Sequence, residues 1–221
     1  MSTFPTSEIK PIFDFSLESP HASLLDLSVS NTELSIIDLS DNQTFGNYIF
    51  NGKTRLGGYL EKRTMYQKSE LFSGGEVRDI HLGVDIWALE NTPIYAPLDG
   101  EIWGVGNNMG FGNYGPTLIV RHVWGGGSVF ALYGHLGLNA LAKWENGDEV
   151  SSGTLLAHIG EEAVNGNWPP HLHFQLIREV KKGAYDFPGV CAESELEKYK
   201  TTCPNPNALL QSSLLTNSNY P

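Results

Sequence analysis

The sequence has little of what marks a nucleic-acid-binding or membrane-spanning protein. Lysine and arginine number 14 against 25 aspartates and glutamates, which gives a net charge of −11 over 221 residues. Nucleic-acid-binding surfaces are basic, so we predict no nucleic-acid partner. No stretch approaches the ~18 consecutive apolar residues of a transmembrane helix, and we therefore predict no membrane association.

Cysteine is scarce, and the N-terminus has no secretory leader pattern. Cys191 and Cys203 are the only cysteines and form no Cys-x-x-Cys pair, which excludes a zinc ribbon. The first residues lack the basic start and apolar run of a signal peptide, so a cytoplasmic location is expected. In that compartment the two cysteines are expected to be reduced thiols.

What the sequence does contain is glycine and proline, 24 and 12 residues, with only 18% charged side chains. Such a chain predicts many short strands in a mainly β fold, an antiparallel sheet, sandwich or barrel. The β pattern is clear over residues 76–180, the predicted core, flanked by an N-terminal extension (1–75) and a C-terminal tail (181–221) that packs on the core. Asp99-Gly100 and the glycines at 125–127 predict two hairpins.

The segment "HLHFQLI" (171–177) predicts a strand with two different faces. Side chains at i and i+2 point the same way in a strand, so His171 and His173 share one face with Gln175. Leucine and phenylalanine occupy the other face and predict contact with the core. For an isolated His-x-His pair, an exposed polar strand face is the simpler interpretation. A metal site is favoured only if other residues of the sequence supply further ligands.

"RDIHLGVD" supplies those residues, because His81 lies four positions before Asp85. Imidazole and carboxylate groups are common ligands of Zn²⁺, and a catalytic zinc site takes three protein ligands with one open position. His81, Asp85 and one histidine of the 171/173 pair form such a set. The other histidine of the pair is then left beside the metal.

The strand "VFALYGH" (129–135) adds a further histidine. Strand alternation predicts that Tyr133 and His135 share a face, so that His135 flanks the site and Tyr133 donates to an oxyanion. Groove packing is the simpler alternative for Tyr133. Arg78 is a candidate to contact the substrate or a nearby carboxylate, and an ordinary surface charge is the simpler interpretation.

Over residues 78–177, a series of short motifs in the same order as in the family makes the sequence resemble the LytM/lysostaphin-type zinc metallopeptidases. That family includes many peptidoglycan endopeptidases and has a duplicated hybrid motif fold. The sequence is also similar to the branch fused to class III aminotransferases. The motifs are "HLGVD" (81–85), "TPIYAPLDGEI" (92–102), "FALYGHL" (130–136), "NGDEVSSGTLLAHIG" (146–160) and "PHLHFQL" (170–176).

The resemblance implies that His81, Asp85 and His173 bind Zn²⁺ and that His135 and His171 are the catalytic histidines. It also implies an antiparallel β-sheet domain with its site in a groove between loops. The expected function is zinc-dependent hydrolysis of a peptide or amide bond. A non-catalytic zinc-containing binding or regulatory module and a small-molecule amide hydrolase are the alternatives.

Two departures from the family pattern bear on the substrate and on the metal site. Many relatives are exported cell-wall enzymes with basic wall-binding modules, whereas this sequence is acidic and is expected to lack such a module. Gln175 stands where the family commonly has glutamate, which changes a group next to the predicted ligand His173.

Overall fold

The computed structural model describes residues 8–50, 52–68 and 75–216. Within these residues the fold consists of an eight-stranded sheet, two two-stranded sheets and a few short helices. The strands are β1 (Ala22–Leu24), β2 (Thr54–Gly57), β3 (Arg78–His81), β4 (Val84–Trp87), β5 (Pro93–Tyr95), β6 (Gly100–Asn108), β7 (Gly115–Trp124), β8 (Gly127–Gly134), β9 (Glu149–Val150), β10 (Leu155–His158), β11 (His171–Ile177) and β12 (Val190–Ala192). The α-helices are α1 (Asn42–Ile49), α2 (Asn139–Lys143), α3 (Leu196–Thr202) and α4 (Asn207–Leu210), and 3₁₀ turns cover Thr32–Ile36, Met65–Lys68, Glu193–Glu195 and Ser213–Leu215.

The large sheet has the order β1-β2-β4-β11-β8-β7-β6-β9. Every neighbouring pair in it is antiparallel except β1 and β2, which run parallel. The prediction of a mainly β, antiparallel fold is confirmed. None of the helices in the described part of the chain has the length and apolarity needed to cross a membrane.

Of the two predicted hairpins, one forms and one does not. β7 and β8 pair across the glycine turn, as predicted. The hairpin at Asp99-Gly100 is wrong, because β5 pairs with β10 while β6 pairs with β7 and β9. The Asp99 carboxylate accepts a hydrogen bond from the Ser152 backbone at 2.7 Å, which ties this bend to the β9–β10 connection.

β11 is the central strand of the site, and its predicted two faces are both covered. Leu172, Phe174 and Leu176 are fully buried in the main apolar core. The histidine face is buried too, because every residue of β11 is buried. Burial of this polar face excludes the interpretation of His171 and His173 as an exposed strand surface.

Segments outside the predicted core complete this architecture. β2 pairs with β4, and β12 pairs with β3, so both chain ends contribute strands next to the central ones. Helix α1 is capped by Asp41, whose carboxylate accepts the amides of the first turn. The domain boundaries at 75/76 and 180/181 remain predictions. Cys191 and Cys203 are both buried and free.

Candidate metal centre and active site

Strand register brings three of the predicted site residues to one place. His173 on β11 lies directly opposite Asp85 on β4, so their side chains emerge on the same face of the sheet. His81 ends β3 and reaches this pair across the two-residue turn that leads into β4. The geometry leaves no space for a side chain at Gly83, where a Cβ would lie 2.7 Å from Cε1 of His173.

The ligand atoms of the three residues form a compact triangle. His81 Nε2 lies 2.9 Å from His173 Nδ1, and each of these nitrogens lies 3.3 Å from Asp85 Oδ1. A tetrahedral zinc ion with ligands at ~2.0–2.1 Å separates neighbouring ligand atoms by about 3.3 Å. The dimensions of the triangle therefore match those of a zinc site.

Hydrogen bonds on the far side of each ring determine which nitrogen carries the proton. His81 Nδ1 lies 2.9 Å from the carbonyl oxygen of Gly58, which can only accept, so Nε2 of His81 keeps its lone pair. His173 Nε2 lies 2.9 Å from Gln175 Oε1. The Gln175 amide group in turn donates to the Pro188 carbonyl and to Cys203 Sγ, which fixes its oxygen toward His173.

Two imidazole lone pairs and a carboxylate oxygen thus face one another with no proton between them. Such an arrangement is repulsive without a cation. In protein zinc sites, the ligand histidines are usually oriented by a hydrogen bond from the ring nitrogen that does not bind the metal. His81, Asp85 and His173 are also the one group among the described residues whose ligand atoms converge on a possible metal position. The residues present fit zinc.

A buried arginine holds the other oxygen of Asp85. Arg63 donates from Nη1 to Asp85 Oδ2 at 2.6 Å and from Nε to Glu61 Oε2 at 2.5 Å. Arg63 is 1% exposed, so these ion pairs are screened little by solvent. Burial alone would raise the pKa of Asp85, but the Arg63 charge acts against burial, and that pKa lies well below its usual range.

The remaining two predicted histidines lie beside the triangle. His171 donates from Nδ1 to the Pro169 carbonyl at 2.8 Å and stacks on Trp87 at a ring distance of 3.9 Å. Its Nε2 is 3.8 Å from Asp85 Oδ1. His135 donates from Nδ1 to the Asn165 carbonyl at 2.7 Å, and its ring lies 4.2 Å from that of His171. Each ring is left with an unprotonated Nε2.

Burial keeps these imidazoles uncharged. It lowers the pKa of His81 to about 3, with the Arg63 charge adding to the effect, and lowers the pKa of His171 to about 4. The pKa of His135 is also well below its ordinary value, first because of burial and then because of His171. Neutral imidazoles can bind a metal or accept a proton at pH 7.

Comparison with known proteins gives the family. Residues 79–186 match the family model of Peptidase family M23. The chain contains an M23 peptidase domain. The predicted class, a zinc-dependent metallopeptidase of the LytM/lysostaphin type, is confirmed at the level of the family.

Curated relatives of the M23 domain include the DD-carboxypeptidase/endopeptidase Mpg of Neisseria meningitidis serogroup B, 31% identical over 96 residues. This alignment covers 43% of the present chain and 20% of the relative, so the chain spans about a fifth of the length of the curated proteins it matches. Mpg of Neisseria gonorrhoeae matches equally, with the same identity and coverage.

Solved structures similar to the M23 domain include the catalytic domain of lysostaphin from Staphylococcus simulans. It is 20% identical with a TM-score of 0.38, and the match covers 72% of this chain and 98% of that one. The catalytic domain of the prophage-encoded M23 protein EnpA from Enterococcus faecalis is 22% identical with a TM-score of 0.42, over 62% and 90% of the two chains.

The structure does not bring Tyr133 into the M23 site. Its ring packs on Phe174 in the main core, and its hydroxyl is buried with no hydrogen-bond partner among the described residues. Alternation fails here because β8 ends at Gly134 and His135 has a φ of 61°, which turns its side chain to the opposite side. Arg78 does line the cavity at the site.

Sequence reasoning missed several residues that line or support this cavity. Arg63, Glu61 and Tyr66 come from a segment without a clear pattern, and no local signal connects them with Asp85. Tyr114 lies at the end of the glycine-rich loop between β6 and β7, and its hydroxyl is 3.5 Å from His173 Nε2. His21, His122 and His158 are not among the residues that line this cavity.

Proposed function

We propose that this chain is a zinc-dependent hydrolase of peptide or amide bonds, in which His81, Asp85 and His173 hold the metal. The observation that carries the proposal is the triangle of three unprotonated ligand atoms, 2.9 to 3.3 Å apart, with two further neutral imidazoles beside it. A structural zinc site would close all four positions with protein ligands, whereas a three-ligand site leaves one for the reacting molecule.

The chemistry that zinc supplies in such a site is Lewis acidity, which lowers the pKa of a water toward ~7 and polarises a carbonyl. His171 and His135 then act on protons. An unprotonated Nε2 can accept the proton of the attacking water, and the resulting imidazolium can donate it to the departing amide nitrogen. General acid–base catalysis of this kind contributes typically 10²–10⁴-fold to the rate.

The positions of these two histidines support separate tasks. The His171 ring is held between Trp87 and His135, and its Nε2 points toward Asp85 Oδ1. The His135 ring lies next to Tyr114 at 5.6 Å, on the side of the pocket that the glycine-rich loop covers. Both imidazoles line the cavity that a substrate would enter, beside the three residues that would hold the metal.

Metal analysis and hydrolysis assays with variants test this proposal. His173→Ala is expected to lose stoichiometric zinc. His135→Ala should keep zinc and lose at least 100-fold in kcat. His158→Ala, whose side chain bonds Asn139 away from the pocket, is the matched control and should retain both properties.

The assay uses a panel of peptidoglycan fragments, glycine-rich peptides and small amides, each with and without a chelator. Hydrolysis that survives chelation, or a His173→Ala variant that keeps zinc, would contradict the ligand assignment. Tight zinc binding without hydrolysis of any substrate would instead support a non-catalytic binding module. The cytoplasmic location stays a prediction from the sequence.

A further inference from the structure

All the residues proposed to act in the M23 site are almost fully buried. His81, Asp85, His135, His171 and His173 have exposures of 2%, 2%, 5%, 4% and 3%. A site that accommodates the middle of a polymer strand needs its reacting groups on the floor of an open groove. Here the groups lie in a cavity of about 180 Å³, and four of the walls around it come from residues 63–66, 112–114, 168 and 186–190.

One contact joins two of these walls beside His173 and His135. Tyr114 belongs to the loop between β6 and β7, and its ring lies 5.0 Å from His173 and 5.6 Å from His135. Its hydroxyl abuts Gly189, where an added methyl group would overlap that oxygen. The loop and the segment 186–190 therefore meet over the site.

Segment 186–190, here called the strap, is held firmly. The Leu82 amide donates to the Gly189 carbonyl at 2.8 Å, and Gln175 donates to the Pro188 carbonyl at 3.1 Å. Val190 then pairs with His81 at the start of β12. The strap is bonded to both strands that carry zinc-ligand histidines, so opening it would disturb the metal ligands.

A second contact joins the other two walls beside His81. Tyr66 follows Arg63 in the N-terminal segment, and its ring lies against His81 at 6.3 Å. The Trp168 ring meets Tyr66 edge-on at 6.3 Å. The loop that carries Trp168 is tied to helix α1, since Asn42 donates to the Asn167 carbonyl at 2.9 Å.

We propose that these two contacts close the ends of the family groove, so that the chain acts on amide bonds near the end of a molecule. This inference rests on the proposed function and adds the substrate class: a small amide, or the terminal residue of a peptide. The cavity, about 180 Å³, is smaller than the ~300–1,000 Å³ of typical ligand pockets. We therefore expect it to accept a short segment in preference to the interior of a long or cross-linked strand.

Binding of phosphinate peptide analogues tests the inference without requiring turnover. Two compounds are used with the zinc-loaded protein, one with a single alanine or glycine on each side of the phosphinate and one with three such residues on each side. Calorimetry is expected to give a Kd at least about tenfold lower for the short compound. Equal or tighter binding of the long compound would overturn the inference.

Hydrolysis assays separate the two possible failures. Acetylated dipeptides, free small amides and blocked hexapeptides are compared, with cleavage positions read by mass spectrometry. Cleavage of internal bonds as fast as terminal ones refutes the inference of a closed pocket but leaves the proposed function standing. Preference for the short phosphinate without any hydrolysis refutes the proposed function but leaves the closed pocket standing. Failure to bind either phosphinate refutes both the pocket and the proposed function. Small amides and peptide ends are distinguished by which of them is cleaved.

Variants that remove the two contacts provide an independent test. Tyr114→Ala opens the contact with Gly189, and Trp168→Ala opens the contact with Tyr66. Each is expected to raise the long-to-short ratio of phosphinate affinities by about tenfold. Met109→Ala in the same loop is 79% exposed and should leave the ratio unchanged. Unchanged ratios in both folded opening variants, judged by circular dichroism and zinc content, would count against the closed pocket.

Discussion

The Arg63 guanidinium and the Asp85 carboxylate form a buried ion pair of 2.6 Å directly behind the proposed metal position. Because Arg63 occupies Oδ2, only Oδ1 of Asp85 is directed at the two histidine ligands. Arg63 Nη1 also donates to the Tyr66 hydroxyl and Nε donates to Glu61, so the guanidinium is held in one orientation. A residue from outside the matched family region thereby sets how a proposed ligand binds.

Arg63→Lys is expected to weaken zinc binding by about 10- to 100-fold, the usual cost of losing a partner that orients a metal ligand. Lysine keeps the charge but cannot donate in the forked geometry to Glu61 and Asp85 together. Competition against a chromophoric chelator measures the affinity. Lys62→Ala, which removes the exposed neighbouring cation, is the control. Identical zinc affinity in Arg63→Lys and the native protein would show that the ion pair does not orient Asp85.

Gln175 provides a second prediction, because its amide oxygen accepts from His173 while its nitrogen donates to Pro188. Gln175→Met removes the acceptor and should weaken zinc binding by about 10-fold or more. Gln175→Glu, the group common in the family, keeps an acceptor for His173 but places a carboxylate against the Pro188 carbonyl. This variant should keep most of its zinc affinity and lose thermal stability. Equal zinc affinity in the methionine and glutamate variants would contradict this role.

The metal-free protein should lose stability as the pH falls from 6.5 toward 4. In the unfolded chain, histidines take up protons near their ordinary pKa of 6.5, whereas burial holds the pKa of folded His81 at about 3 and of His171 at about 4. The unfolded state then binds more protons, and each such group contributes up to ~1.4 kcal/mol per pH unit. Burial raises the pKa of Glu61, which offsets part of the loss.

Urea unfolding in the presence of EDTA at several pH values measures this slope. His171→Asn removes one of the buried imidazoles and should make the slope shallower by up to about one proton. The slope is the readout, so a general loss of stability in the variant does not affect the comparison. A flat dependence between pH 6.5 and 4.5 in the native chain would mean that these imidazoles titrate normally.

The strand pattern of the core and the histidine face of β11 could be predicted because alternation is a local property. Such alternation persists only while the backbone stays extended, which is why the left-handed conformation at His135 invalidated the prediction for Tyr133. The Asp99-Gly100 hairpin failed for a related reason, since turn residues define a bend but not which strands pair after it.

The partners of the site residues could not be predicted from local pattern. Arg63 lies 22 positions before Asp85, and Pro188 lies 13 after Gln175, and nothing in the sequence connects either pair. Strands β1 and β2 are three and four residues long, too short for a periodic signal. The contacts that enclose the site arise from tertiary packing alone.

The pairing of Val190 with His81 has a consequence for biosynthesis. During translation, His81 leaves the ribosome long before its β12 partner has been made, and His173 follows 92 residues after it. Contacts between such distant segments form late in folding, since loop closure must come first. The nascent chain therefore lacks the full set of proposed metal ligands until His173 has been synthesised, and on the proposed function zinc capture follows that point.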